Sequence, residues 1–389
     1  ILNKMKLFKL LFVAIIALGM MACNNEQDVP EIIDGPEATV SVRVVPTSNG
    51  PSVRLAGDIT NTLAAESVIK TLEVFIFSGG MPDGYGKATA DDVTQVIGIE
   101  THSGPKTFYV VANANIDQVA SEVDLLAKTK ELPVVIDNGL PMTSDRKEVV
   151  LVAGENQYGF TSGSDNYKVS AKNLSETPVA LVRVNARVAI VSAALSNNLP
   201  AYQQAIFDNL TDIEVAMFNV PKASNLFGES LEINENFLFG EAWPTTKNTY
   251  TVGVENDNFK KTDLSFPISN TYAPYFYVTE NTSTEDNQRM FIVLRGKPTK
   301  GGNPVVAEGL YTDEEGYTYY PIWVNANDKG YDYGNGYAAT NVISRNTQYN
   351  ISLTINGIGN PTIDEVEEAF LDVNVSVAPW AVVTQNVEW

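Results

Sequence analysis

Few residues of this chain could carry out chemistry by themselves. The sequence holds one cysteine, Cys23, and one histidine, His102. His102 lies in a segment typical of an exposed turn before a strand, so we expect no Ser-His-Asp, Cys-His or multi-histidine metal site. A carboxylate pair of the glycosidase kind stays open among the many Asp and Glu residues, but no spacing singles one out. The sequence therefore predicts a non-enzymatic protein with no catalytic residue, metal site or cofactor.

The context of Cys23 points to covalent modification. Three lysines precede the apolar run 10–18, which is too short to span a bilayer but suits the core of a signal peptide. The small residues just before Cys23 resemble the lipobox of bacterial lipoproteins, in which the thiol is alkylated by a diacylglyceryl group. We predict a signal peptide over residues 1–22 and lipidation of Cys23. The alternative is an ordinary signal peptide with a chance cysteine, or a buried free thiol.

The charge of the chain limits its partners. The formal net charge is −21 at pH 7. No nucleic-acid partner is expected, because binding phosphates requires clustered Lys and Arg. Copies of the chain repel one another, so self-association must be driven by something other than surface charge. The polar, acidic stretch 24–37 has too little apolar surface to fold alone and is predicted to be a flexible tether.

Most of the chain alternates apolar and polar residues in short runs separated by turn residues. The predicted strands are 38–45, 69–77, 94–99, 107–111, 148–152, 167–171, 179–193, 212–219, 250–254, 274–278, 289–294, 318–324 and 348–355. Helices are predicted over 116–126, with Asn115 as the N-cap, and over 201–210. Segment 331–337 is interpreted as a glycine-rich turn with solvent-exposed tyrosines rather than a cation or sugar site. The pattern predicts two β-sandwich domains with a few short helices, at 55–175 and 176–369.

The segment near the start of the chain combines a regular strand with an exposed loop. Residues 38–45 place Val40, Val42 and Val44 on one face of the predicted strand. A turn-rich loop with the lone Arg54 follows. An exposed loop arginine is a good substrate for an arginine-specific protease.

Two further strands are predicted near the end of the sequence, over 370–377 and 381–388, joined by Pro379 and Trp380. In the first, four apolar side chains share one face, namely Leu371, Val373, Val375 and Val377. One interpretation is that the first and last strands are edge strands of their own domains. The other is that strand 38–45 is removable and the last strands are donated to a neighbouring subunit. Strand addition of this kind supplies both backbone hydrogen bonds and apolar side chains, and its head-to-tail repetition makes a filament.

An ordered set of motifs carries a family resemblance. It consists of MMAC (20–23), VRLAGD (53–58), LEVFIF (72–77), KTFYVVAN (106–113), LVRVNARVA (181–189), FIVLRGK (291–297), ISRNTQYN (343–350) and VNVSVAPW (373–380). With these the chain resembles the fimbrillins of Bacteroidales, the major subunits of type V pili, and within them the shaft subunit of the minor fimbriae. The resemblance implies a lipoprotein precursor with two transthyretin-like β-sandwich domains.

The resemblance also implies how the subunit is activated. An outer-membrane arginine protease would cut between Arg54 and Leu55 and remove propeptide 23–54, with Arg43 as a nearby alternative site. Donor region 370–389, which includes Trp380 and Trp389, would then insert into another subunit. The chain departs from some relatives because no long proline-rich insert precedes this region.

The resemblance implies a place on the cell and a set of partners. The precursor would be anchored in the outer membrane by its lipid, and the mature subunit would lie in a surface fimbria that supports adhesion. Its partners would be other copies of itself in a head-to-tail filament, accessory tip and anchor subunits, and the protease. Alternative functions are a fimbrial tip or anchor subunit, and a surface glycan-binding lipoprotein or glycosidase.

Overall fold

The computed structural model describes residues 35–46, 66–131, 139–228, 237–269, 272–334, 336–364 and 371–379. Over these residues the protein is mainly β, as predicted, and its strands form two units in chain order. In the described part of the chain, no helix is long and apolar enough to cross a bilayer.

The first unit contains eleven strands and one short helix. They are β1 (Glu37–Pro46), β2 (Thr71–Ser78), β3 (Met81–Thr89), β4 (Gln95–His102), β5 (Gly104–Ala112), α1 (Glu122–Leu126), β6 (Thr129–Glu131), β7 (Met142–Thr143), β8 (Lys147–Leu151), β9 (Gly154–Tyr158), β10 (Lys172–Ser175) and β11 (Val179–Arg183). Their main sheet has the order β10-β9-β1-β11-β7-β5-β2-β3, while β4 also pairs with β1 and β8 with β5. The core of this unit receives the valines of β1 and the apolar face of β2.

The second unit contains the remaining strands, one short helix and a 3₁₀ turn. They are β12 (Ala186–Leu195), α2 (Ala201–Ile206), β13 (Asn209–Phe218), β14 (Val220–Pro221), β15 (Ala223–Asn225), β16 (Phe237–Phe239), β17 (Val254–Glu255), a 3₁₀ turn (Asp257–Phe259), β18 (Lys260–Leu264), β19 (Tyr275–Val278), β20 (Phe291–Lys300), β21 (Asn303–Pro304), β22 (Thr318–Trp323), β23 (Thr347–Ile355) and β24 (Leu371–Pro379). Sheet β19-β12-β23-β24 packs over the sheet formed by β18, β13, β20, β21 and β22, with a large apolar core between them. This arrangement is a β-sandwich.

Three predicted strands differ from those observed. Segment 179–193 is two strands, because the chain passes from the first unit to the second between β11 and β12. Because β11 pairs with β1 and β7, the first unit includes residues beyond the boundary predicted near residue 175. Segment 167–171 is not a strand, since local turn bonds such as Ala171 N to Lys168 O use its backbone groups. Of segment 250–254, only the last residue pairs, in β17.

The first predicted helix is shorter than its pattern indicated. α1 begins after its N-cap Ser121, whereas Asn115, the predicted N-cap, has a φ of 53°. The backbone N–H groups of Ile116 and Asp117 donate to the buried carboxylate of Glu73, at 2.9 and 2.8 Å. The prediction was wrong here because these tertiary hydrogen bonds override the local pattern. The second predicted helix ends earlier than expected, because β13 has already begun at Asn209.

A two-stranded ribbon joins the two units. β15 of the second unit pairs antiparallel with β6 of the first. Just after β15, Leu226 is buried in the first unit beside Phe77 and Tyr109, and its carbonyl accepts a hydrogen bond from Thr143 Oγ1 at 2.9 Å. The second unit therefore contributes part of the core of the first.

Candidate functional site

The residues predicted to carry function fall into three groups. Cys23, Arg54, Leu55, Trp380 and Trp389 lie outside the described residues. Val40, Val42 and Val44 lie in β1, whereas Leu371, Val373, Val375 and Val377 lie in β24. β1 and β24 belong to different sheets, so within one chain the two strands do not pair with each other.

β1 is an interior strand with a partner along both edges. On one edge it runs antiparallel to β4. On the other it runs parallel first to β9, over residues 38–42, and then to β11, over residues 44–46. The interpretation of β1 as an edge strand is therefore wrong. Taking β1 away would leave unpaired backbone groups on both sides of a groove.

The apolar face of β1 is part of the first core. Val40, Val42 and Val44 are 3%, 0% and 3% exposed, and they pack in one cluster with Ile99 and Leu181. Burial of three valine side chains contributes roughly 5–9 kcal/mol. A strand that replaced β1 would need to supply apolar side chains at the same spacing.

The polar face of β1 also makes specific contacts. Ser41 Oγ accepts a hydrogen bond from Gly98 N at 3.1 Å. Thr39 lies in register between Glu100 of β4 and Glu155 of β9. A replacement strand would meet these groups as well.

The environment of Arg43 bears on the choice of cleavage site. Arg43 lies within β1, opposite Gln95, and its Nη1 donates to Ser164 Oγ at 2.6 Å. A protease requires an accessible backbone, and both edges of β1 are occupied. This environment favours Arg54 over Arg43, although the cleavage position itself stays a prediction.

β24 lies at the edge of its sheet. It runs antiparallel to β23 in unbroken register along its whole length. Val373 and Val375 are 5% and 2% exposed and belong to the core of the second unit, with Leu371 and Val377 packed against it. The strand predicted as a donor therefore has a place in its own domain, with a complete strand partner on one side only.

β24 repeats the residue pattern of β1, a signal that the sequence interpretation missed. When residues 38–46 (ATVSVRVVP) are placed over Leu371–Pro379 (LDVNVSVAP), the three valines of β1 fall on three valines of β24, and Pro46 falls on Pro379. Polar residues stand between the valines in both strands, Ser41 and Arg43 in β1 and Asn374 and Ser376 in β24. Either strand could therefore present the same apolar face to the same groove.

A buried ion pair supports the end of the groove where β1 begins. Lys106 Nζ and His102 Nδ1 lie 2.8 Å from the two carboxylate oxygens of Asp83, and Thr101 Oγ1 donates to the same carboxylate at 2.5 Å. His102 was predicted to lie in an exposed turn, which is wrong. It is the last residue of β4, opposite Glu37. The cluster ties β3, β4 and β5 together beside the first residues of β1.

This ion pair makes the first unit sensitive to acid. Burial alone would raise the pKa of Asp83, but hydrogen bonds from Lys106, Thr101 and His102 outweigh it and hold that pKa well below the usual 3.8. The unfolded chain takes up the proton first, so the stability from the pair is present above about pH 4 and is lost as pH falls towards the folded pKa.

We expect Asp83→Asn to lower the free energy of unfolding at pH 7 by roughly 2 kcal/mol, because buried Lys106 keeps its charge without a carboxylate. The variant should also lose stability less steeply than the parent between about pH 4 and pH 2. Denaturant unfolding across this range measures both effects. Asp145→Asn, on the surface, is the matched control and should follow the parent. Equal pH slopes for parent and Asp83→Asn would contradict the assignment.

A second buried cluster lies where the two units meet, and the sequence interpretation missed it. Glu66 is the first described residue after the predicted cleavage loop. Its Oε1 lies 2.7 Å from Arg187 Nη1 and accepts a hydrogen bond from the Tyr277 hydroxyl at 2.7 Å. Its backbone carbonyl accepts from Arg183 Nε at 2.9 Å. The Glu66 and Arg187 side chains are fully buried, so the segment after the loop is held against both units.

Comparison with known proteins covers both units. A family model described as major fimbrial subunit protein (FimA) matches residues 38–183, and one described as FimA4 pilin C-terminal domain matches residues 185–380. Major fimbrium subunit FimA type-2 of Porphyromonas gingivalis is 31% identical over 405 residues, covering 99% of this chain and 100% of the relative. Major fimbrium subunit FimA type-4 of the same organism is 31% identical over 408 residues, with the same coverage.

Solved structures show the same fold. A fimbrilin of Porphyromonas gingivalis W83 superposes with a TM-score of 0.73 at 27% identity, covering 91% of this chain and all of that one. A cell adhesion protein described as putative from Parabacteroides distasonis gives a TM-score of 0.66 at 20% identity, over 89% and 99% of the two chains. Both of these curated relatives are subunits of the major fimbrium. They confirm the predicted resemblance to the fimbrillin family, but they do not support the closer resemblance to the shaft subunit of the minor fimbriae.

Proposed function

The chain belongs to the family of major fimbrial subunits, FimA, and from this membership we propose how it assembles. As a member of this family it is a structural subunit of a cell-surface fimbria, which implies polymerisation with its own copies and accessory fimbrial proteins as partners. We propose that subunits join by strand exchange. β1 of each subunit is cut away, and the C-terminal donor region 370–389 of a neighbouring subunit takes its place. We assign the protein no enzymatic activity.

The proposal begins with a membrane-bound precursor. Signal peptide 1–22 directs export, and lipid on Cys23 anchors the chain in the outer membrane. An arginine-specific protease then cuts between Arg54 and Leu55, which separates Cys23 and β1 from the rest of the chain. The lipid is thus a temporary attachment, and the mature subunit is held by its neighbours.

One observation carries the proposal: β24 has the valine spacing of β1 but only one complete strand partner. In its own domain β24 has β23 along one edge and a single bonded loop residue, Asp332, on the other. The place of β1 offers β4 on one side and β9 with β11 on the other. In its own domain β24 has Val373 and Val375 buried and Val377 half-buried, whereas in the place of β1 all three would take the buried positions of that strand's valines. Transfer of β24 to a vacated groove therefore exchanges one ladder of backbone hydrogen bonds for two, which favours assembly.

In the proposed register, β24 can keep one hydrogen bond of β1 and meets one unfavourable charge contact. Asn374 takes the place of Ser41, so its side-chain oxygen can accept the hydrogen bond that Gly98 N now gives to Ser41. Asp372 takes the place of Thr39, between Glu100 and Glu155. Three carboxylates then lie side by side, which opposes the exchange.

A peptide test separates the donor strand from its home domain. Protein lacking residues 1–23 is digested with an arginine-specific protease and mixed with a labelled peptide of residues 371–379. We expect the peptide to bind and to inhibit formation of detergent-resistant ladders on gels. A peptide with Val375→Asp should bind roughly 100-fold more weakly, because a carboxylate would be buried in the core. A peptide with Asp372→Thr should bind several-fold more tightly, because it removes the carboxylate repulsion.

The outcomes decide between donor segments. If a peptide of residues 381–389 competes better than residues 371–379, the inserted strand is the later segment. If Asp372→Thr has no effect while Val375→Asp abolishes binding, the strand is correct and the register is wrong. If neither peptide binds although β1 has left the protein, strand exchange by the donor region is excluded.

A further inference from the structure

The outer edge of β24 is covered at its centre by one residue of a loop. Asp332 N donates to Val373 O at 3.1 Å, and Val375 N donates to Asp332 O at 2.8 Å. These are backbone groups of β24 that point away from β23. β24 is therefore held on its second side as well, but at a single point.

The loop that presents Asp332 has a shape that depends on glycine. Gly330 and Gly334, on either side of it, have φ of 70° and 58°, a region that other residues adopt at a cost. Gly334 N donates to Asp332 Oδ1 at 2.9 Å, which closes a turn around Asp332. We name residues 330–334 the clasp.

The clasp is attached to the core by its two tyrosines. Tyr331 and Tyr333 are half-buried, and both pack against the large core cluster of the second unit. The Tyr333 hydroxyl also donates to Ala326 O at 2.9 Å. Solvent-exposed tyrosines were predicted here, which is wrong for these two residues. Their burial holds Asp332 against the edge of β24.

We propose that the clasp keeps β24 on its own domain until assembly and limits the rate at which β24 is released to another subunit. The inference rests on the proposed function, in which β24 is the donated strand. Release requires both clasp hydrogen bonds to break before β24 can separate from β23. Before activation, the same contacts keep an edge strand from pairing with other copies, which is the usual hazard of such edges.

The clasp can be loosened without touching β24. Gly334→Val forces a β-branched residue into a positive φ, while its side chain would meet open space. We expect the Val375 amide to exchange with solvent about five- to tenfold faster in the precursor, because two backbone hydrogen bonds are weakened. Ladder formation after protease treatment should accelerate by a similar factor.

Gly301→Val is the matched control. Gly301 has the same φ of 58°, open space around its missing side chain and an N–H bonded to an aspartate, but it lies in the turn between β20 and β21. It should leave Val375 exchange and the ladder rate unchanged. If Gly334→Val leaves Val375 exchange unchanged, the clasp does not hold β24. If exchange accelerates but the ladder rate does not, the clasp does not limit release.

A reversible lock distinguishes failure of the clasp from failure of the proposed function. Asp332 and Asn374 are both exposed and are bridge partners. In protein lacking residues 1–23, the pair Asp332→Cys and Asn374→Cys forms the only disulfide possible within one chain. The oxidised protein should not form ladders, and a reductant should restore them. Ladders from the oxidised protein at the rate of its own reduced form would mean that β24 is not donated, whatever the clasp does.

Discussion

Arg54→Ala is expected to leave the precursor monomeric when it is treated with an arginine-specific protease. In the precursor β1 occupies the groove between β4 and its parallel partners, and three buried valines hold it there. An incoming strand cannot pair with those edges until β1 is free to leave. Without a cut between β1 and the rest of the chain, β1 stays at high local concentration and competes with any donor. The expected effect is loss of ladder formation rather than a slower rate.

The measurement is gel analysis of ladders together with N-terminal sequencing of the digested protein. The parent should give one stable fragment that begins at Leu55, and Arg54→Ala should give none. Arg43→Ala is the matched control, since Arg43 lies in a strand paired on both edges, and it should be cut and polymerise as the parent does. A ladder from Arg54→Ala would show that another bond is cut or that cleavage is not required.

Glu66→Ala is expected to lower the free energy of unfolding by roughly 3–5 kcal/mol, because it removes the carboxylate from a buried ion pair. Arg187 would remain fully buried with its charge and without this partner. The Tyr277 hydroxyl would lose the hydrogen bond that it donates to Glu66 as well. In the parent protein, burial and the Glu66 carboxylate raise the pKa of Tyr277, so its hydroxyl is protonated and donates to Glu66.

Denaturant unfolding, followed by fluorescence, measures the effect. Because Glu66 contacts residues of both units, we also expect the variant to unfold in two transitions where the parent unfolds in one. Asp91→Ala, which breaks an exposed pair with Lys70, is the control and should unfold like the parent. Unfolding of Glu66→Ala at the same denaturant concentration as the parent would contradict the role of Glu66 as a link between the units.

Strict alternation made the strands of the core predictable, and tertiary contacts explain where prediction was wrong. Val40, Val42 and Val44 share a buried face, as period two requires. The early part of the helix predicted over 116–126 is lost to the Glu73 carboxylate, a residue distant in sequence. Segment 179–193, predicted as one strand, contains a change of domain that its alternation did not reveal, because β11 and β12 are both largely buried. No local pattern marks such a crossing.

The candidate site was predictable in its residues but not in its pairing. The valines of β1 and β24 were identified from alternation. Their neighbours could not be, because the order of strands in a sheet depends on contacts far apart in sequence. Comparing the two strands with each other would have shown their common pattern. The clasp was obscured because tyrosine and glycine together are typical of exposed turns.

The position of β1 inside its sheet has a chemical analogue in the protecting group of a synthesis. Under the proposed mechanism, β1 masks the reactive surface of the monomer during export and is removed by one irreversible bond cleavage. A subunit can therefore be unmasked only once and cannot return to the pool of inert monomers. In the proposed register, the strand that replaces β1 runs as β1 does, parallel to β9 and β11. Growth would then give every fimbria two chemically different ends, one with an open groove and one with an unused strand.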